Sequence, residues 1–238
     1  MSSDESYLEG LKALLLLDSR RTSITQFENS ESHFLRLQSL IRCSLEHCQV
    51  AFEAAQQRQI LSALVLTRTA MEHALLARYL HQTPDGSELS EIVIDKQMSE
   101  LSRMAHLAGS TQSANRLQEM IRFEQKDHDR VPTNPNSIIG KFTQREMLKH
   151  LYFLLSQYSH PISAFLQYVD FENDGETKRI RRKALDQDFM SVAPFLFQIL
   201  AITLLTDASI TKDTDLEESV FAIAQEAFPS TDLLLDTE

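Results

Sequence analysis

The chain has 238 residues, long enough to bury a substantial core, and its 5 Gly, 6 Pro and lack of Trp leave few of the residues that hairpins and tight strand–helix turns require. Its formal charge of −11 argues against a broad basic surface for nucleic acid, although not against a local one, because residues 207–238 hold nine acidic side chains and one basic. The fold this predicts is all-α: an antiparallel multi-helix bundle with peripheral helices.

In chain order, the start "MSSDESYLEG" is acidic and lacks the positive n-region of a signal peptide, so a cytoplasmic chain is expected. A short helix is predicted over 7–17, and the polar stretch "DSRRTSITQFENS" follows it. Long helices come next at 31–55 and 58–81, the second closed by the turn signal "TPDG" at Thr83 to Gly86. Two charged amphipathic helices, 87–110 and 111–130, read as peripheral and separate near Gly109. The segment "VPTNPNSIIGKF" is the one substantial loop and the candidate lid or hinge.

Thr143 and Glu146 form a capping-box pattern ahead of "QREMLKHLYFLLSQYSH". Pro161 ends that helix and opens another, "PISAFLQYVDF". The basic run "KRIRRK", 178–183, reads as a solvated loop or helix end. After it, "SVAPFLFQILAITLL" falls short of the roughly 20 residues a bilayer span needs and reads as a buried core helix, so no membrane partner is expected. Thr214 and Glu217 suggest a cap for a last helix through Phe228. By segment, 1–30 is an N-terminal helix and polar linker, 31–206 a single helical-bundle domain, and 207–238 an acidic C-terminal helix and tail.

Cys43 and Cys48 point to different sides of one helix, which disfavours a disulfide. Cys43 and His47 share a face without a second Cys/His pair, and Asp127 to Asp129 stand at a charged helix end. No metal or other cofactor is therefore expected. On the helical wheel of 58–80, Arg68 and Glu72 fall in the middle of an apolar stripe, where an i, i+4 ion pair is the minimal way to tolerate the charges. Snorkelling of Arg68 past the stripe is the bland alternative. His73 lies off the stripe, as a bystander or facing a partner. On the 146–160 helix, Lys149, Ser156 and His160 follow a second strip beside Tyr152 and Phe153, and the helix dipole favours a protonated His160.

"RTAMEH", Arg68 to His73, resembles the Arg-x4–6-His motif of the HEPN superfamily, helical bundles often found as metal-independent endoribonucleases of toxin–antitoxin and antiphage systems. Thr69 stands where that motif usually carries Asn, Asp or His. "RTAME" followed far downstream by "SQYSHP" is also similar to a family of uncharacterised bacterial helical proteins, a likeness that covers roughly 35–170.

The first resemblance implies Arg68 against the scissile phosphate, His73 as acid or base, and a site built across a homodimer. The second implies that Arg68, Glu72 and His160 converge from two helices. Two function classes follow. One is an endoribonuclease using Arg68, Glu72, His73 and His160, with Lys178, Arg179, Arg181 and Arg182 on RNA phosphates and an antitoxin or defence protein on the acidic C-terminal region. The other is a non-catalytic bundle, either a dimerising interaction module or the binder of a small anionic or nucleotide ligand, with Lys149 and Ser156 among its contacts.

Overall fold

The computed structural model describes residues 3–21, 32–132, 134–159, 169–173, 178–182 and 189–227, and within them the fold is an all-α multi-helix bundle. α1 (Ser3–Arg21) precedes the long pair α2 (Ser32–Gln56) and α3 (Ile60–Gln82). Alanines make this pair close: Ala51, Ala54 and Ala55 on α2 and Ala63, Ala70, Ala74 and Ala77 on α3 are all buried. The short link turns because Arg58 takes the left-handed conformation at φ 58°. Gln59 N then donates to Ala54 O and Arg58 N to Ala55 O, a Schellman arrangement that satisfies the last carbonyls of α2.

α4 (Gly86–Leu107) and α5 (Thr111–Met120) form a helical hairpin at the side of the bundle. The sequence pattern predicted one helix over 111–130, but α5 stops at Ile121. The reason is the carboxylate of Asp95, which accepts from Arg122 N at 2.5 Å and Phe123 N at 2.7 Å and so holds the next turn non-helical. A single turn, α6 (Gln125–His128), follows with a capping box between Glu124 and Asp127. His128, expected at an exposed helix end, is buried.

The predicted loop at 131–142 contains α7 (Pro135–Ile139). Asn134 caps it by accepting from Asn136 N at 3.0 Å, Pro135 supplies its first turn, and Ile138 and Ile139 are buried. α8 (Arg145–Ser159) starts later than the capping-box pattern suggested, and Glu146 pairs with Lys149 instead.

Of the further helix expected through Phe171, residues 161–168 lie outside the described residues, and its last three positions are not helical. Val169–Asn173 is a strand, β1, paired antiparallel with β2 (Lys178–Arg182), so the described part of the basic run is a strand and not a loop or helix end. The register sets Asp170 opposite Arg181, Glu172 opposite Arg179 and Phe171 opposite Ile180.

After a 3-10 turn at Phe189–Ser191, α9 (Ala193–Thr211) runs through the centre of the bundle. It is apolar on all sides and buried accordingly, with Phe197, Leu200 and Leu204 fully covered. Its buried hydroxyls are satisfied: Thr203 and Thr206 donate to carbonyls one turn back, and the Ser44 hydroxyl meets Thr203 at 2.8 Å and Ala70 O at 2.9 Å. That contact joins α2, α3 and α9. α9 continues through 206 and 207, where the sequence suggested a segment boundary, and Asp207 is buried, accepting from Gln38 at 2.8 Å. α10 (Thr214–Ala227) is capped by Asp213, not Thr214, through Leu216 N at 2.9 Å. α1 packs on both α9 and α10, and Gly10 lets it approach Phe197, whose ring would stand 2.8 Å from an added Cβ.

By length and apolar composition, α3 and α9 could each cross a membrane. In the bundle, 78% of the apolar window of α9 is buried against other helices, so its composition is accounted for by the core.

Gly86 tests the turn between α3 and α4. Its N–H donates to Thr83 O, and a Cβ there would lie 1.8 Å from the carbonyl oxygen of Leu80, an impossible contact. Gly86→Ala is expected to destabilise the chain by at least the ~1–3 kcal/mol typical of overpacking, read as a lower denaturant midpoint with an unchanged slope.

Candidate functional site

The buried face of α3 runs through Ile60, Leu64, Thr67, Met71 and Leu75, about a quarter-turn from the stripe that the wheel suggested. Arg68 and Glu72 are thus at its edge and half-buried, with side chains 26% and 35% exposed. The predicted pair forms, Arg68 Nε donating to Glu72 Oε1 at 3.1 Å. A third member comes from α8: Arg68 Nη2 donates to the Tyr152 hydroxyl at 2.8 Å, and that hydroxyl donates to Glu72 Oε1 at 2.9 Å. The guanidinium carbon also sits 5.0 Å from the centre of the Tyr152 ring.

A half-exposed ion pair on one helix contributes only about 0.3–0.5 kcal/mol. Tyr152 alters the balance, because it is buried and its hydroxyl needs a partner. Burial first, then the neighbouring carboxylate, push its pKa up against the opposing pull of Arg68, so the phenol keeps the proton it gives to Glu72. The closed ring of three bonds joins α3 to α8.

Glu72 and the adjacent His73 also line a cleft of about 360 Å3. Leu40 and Leu76 form its floor, and Val93, Lys96, Gln97 and Glu100 of α4 form one wall. Val131, Pro132, Pro135 and Ile138 cover it, so the segment singled out as a lid is the roof. Arg130 links the roof to the α3–α4 corner, its guanidinium bonding Glu88 at 2.6 Å and Asp85 at 3.1 Å. Lys96 Nζ donates to the His128 carbonyl at 3.3 Å, tying the wall to the same strap.

His73 does not face Arg68. Its ring stacks on His47 of α2, with centroids 5.3 Å apart and planes 26° from parallel, and Nδ1 of His47 is bonded to Cys43 O at 2.5 Å. Burial, followed by the field of His47, lowers the pKa of His73, while Thr69 O and Glu72 pull weakly the other way. Near neutral pH it is an uncharged imidazole at the cleft.

The other predicted residues do not converge here. Lys149 is bonded to Glu146 at 3.0 Å, and the Ser156 Oγ is buried on α8. Lys178, Arg179, Arg181 and Arg182 belong to β2, two of them opposite acidic residues, and His160 lies outside the described residues. Among the described residues no group of His, Cys, Asp and Glu is arranged to hold a metal ion. Cys48 is fully buried, its thiol pKa raised first by burial and then by Asp18.

Sequence reasoning noted Tyr152 only as a neighbour of the polar strip, although its spacing of four from Ser156 was a signal. It missed His47, Lys96 and Glu100 as neighbours of the site. No family model, curated protein or solved structure matches the chain.

Tyr152→Phe removes both bonds of the hydroxyl and is expected to cost about 1.5–3 kcal/mol, the range for hydrogen bonds to charged groups. A double-mutant cycle with Arg68→Ala should give a coupling of about 0.5–3 kcal/mol by denaturant unfolding. The imidazole of His73 generates a pH prediction. Its folded pKa is below the unfolded value of about 6.5, so the unfolded chain binds the proton more readily. The associated stability is present above that pH and is lost as pH falls from about 6.5 towards the folded value. His81 shifts in the same direction, so the test is a difference: His73→Gln should flatten, without abolishing, the fall in stability between pH 7 and 5.

Proposed function

We propose that this chain is a ligand-binding helical bundle whose working surface is the cleft between α3, α4 and the proline-rich roof. The observation that carries this reading is the double position of Glu72. Its carboxylate is fixed by Arg68 and Tyr152, and the same side chain lines the cleft beside His73. A group held by two charge-assisted bonds next to an apolar hollow is a preoriented contact for a small polar molecule. In this reading Arg68 and Tyr152 are positioning residues, and Leu40, Leu76 and the roof exclude water.

A second reading, a metal-independent endoribonuclease of the HEPN-like type, has one observation in its favour. His73 reaches the cleft uncharged near neutral pH, the state a base for a ribose 2′-hydroxyl requires. Against it, Arg68 is committed to Glu72 and Tyr152 and does not line the cleft with His73. The motif's arginine would have to come from a second copy, which is where the homodimer and an antitoxin-like partner enter this reading.

The two readings separate by experiment. Binding predicts that at least one compound of a metabolite panel raises the melting temperature in proportion to the logarithm of its concentration, and that Leu76→Trp, which fills the floor, abolishes the rise. No such compound, or one whose effect survives Leu76→Trp, would overturn it. RNA cleavage in chelator that is lost in both His73→Ala and Arg68→Ala would replace it with the second reading.

A further inference from the structure

The cleft's own chemistry narrows the ligand, an argument that rests on the binding reading above. Its apolar surfaces are aliphatic: Leu40, Leu76, Val93, Val131, Ile138 and two prolines. No Phe, Tyr or Trp ring is among the described lining residues, and the one aromatic ring there, the imidazole of His73, is already stacked on His47, so a nucleobase has little platform to stack on. Lys96 is the one cation of the lining, too little positive charge for a polyphosphate. The volume of about 360 Å3 stands at the small end of ligand pockets, roughly 300–1,000 Å3.

Charge in the lining is arranged in compensated and uncompensated parts. Glu72 is neutralised by Arg68, and His73 is uncharged near neutral pH. On α4, Lys96 and Glu100 stand at i, i+4, about 5–6 Å apart at Cβ. Lys96 gives one of its three donors to the His128 carbonyl and has two left. Glu100 accepts no hydrogen bond and joins no ion pair among the described residues, and Lys96 does not pair with it. One wall of an aliphatic hollow therefore carries an ammonium and a carboxylate side by side, each with capacity to spare.

We infer that the cleft takes a small aliphatic zwitterion, an α-amino acid with an apolar side chain. Its carboxylate meets Lys96, its ammonium meets Glu100, and its side chain lies between Leu76, Val93 and Ile138. The imidazole of His73 supplies a neutral hydrogen bond at the inner end. A compound with one charge leaves either Lys96 or Glu100 without its counter-ion while covering the same apolar surface.

The test uses the full chain near neutral pH with four probes: L-leucine, 3-methylbutylamine, 4-methylpentanoate and AMP, followed by calorimetry and thermal unfolding. L-Leucine is expected to bind at least tenfold more tightly than the amine or the carboxylate. Glu100→Gln should weaken it at least tenfold, and so should Lys96→Met. If Lys96→Met lowers the unliganded melting temperature, Glu100→Gln decides alone, because Glu100 is exposed and unbonded. Equal binding of either single-charge compound, or leucine binding indifferent to Glu100→Gln, overturns the inference. AMP binding without leucine binding, abolished by Leu76→Trp, overturns the ligand class and leaves the cleft as the binding site. Failure of all four probes and of the wider panel defeats the binding reading itself.

Discussion

A phenol hydroxyl sealed between two helices has to be hydrogen-bonded, and in this chain the demand is met by groups on the opposite helix. Tyr152 is carried into the α3–α8 contact by its ring and is satisfied there by Arg68 and Glu72. Each of the three groups explains another. The guanidinium is tolerated at the edge of the core because it meets a carboxylate and an aromatic face. The carboxylate keeps its orientation because two donors converge on one oxygen. The cleft is thereby bounded by a bonded carboxylate on the α3 side and by charges with hydrogen-bonding capacity to spare on the α4 side.

That asymmetry reaches the roof. The segment from Ile121 to Ile139 leaves α5, crosses α4 and descends onto α3 and α8 through the buried Ile138 and Ile139. Polar contacts secure its α4 end, at Asp95 and Arg130, and apolar contacts its other end. Exposed pairs such as those of Arg130 contribute little and are weakened by salt. The buried isoleucines hold the strap in place, and the charges set where it crosses.

The bundle was largely readable from residue patterns. Periodicity located α2, α3, α4 and α8, and an all-round apolar run marked α9 as central. The i, i+4 spacing of Arg68 and Glu72 was enough to predict their pairing. What escaped the sequence depended on contacts between distant segments. Asp95 ends α5 from 27 residues away, and nothing in the pattern near Ile121 signals it. Val169 to Phe171 is too short, with Asp170 between two apolar residues, for its pattern to separate strand from helix until the register with Ile180 and Arg181 decides. Tyr152 was visible as a residue and not as a partner, since a wheel shows which side chains share a face but not what stands opposite. The cleft was least legible of all, because it is assembled from α2, α3, α4 and a strap that crosses them. Asn134 and Pro135 did carry a readable start for α7, which their reputation as loop residues concealed.

Two of the helix exits have the same construction. α2 and α9 both end through a left-handed residue, and in both places it is a cation: Arg58 at φ 58° and Lys212 at φ 56°. Glycine adopts that backbone more easily, by roughly 1–2 kcal/mol. Neither helix has a basic residue in its last turn, so these two side chains are the positive charges that answer the negative ends of their dipoles. The low glycine content of the chain is then more than a sign of helix. At these two reversals the polypeptide accepts a conformational penalty that the charge offsets only in part, the dipole interaction of an exposed cation being worth about 0.3–1 kcal/mol.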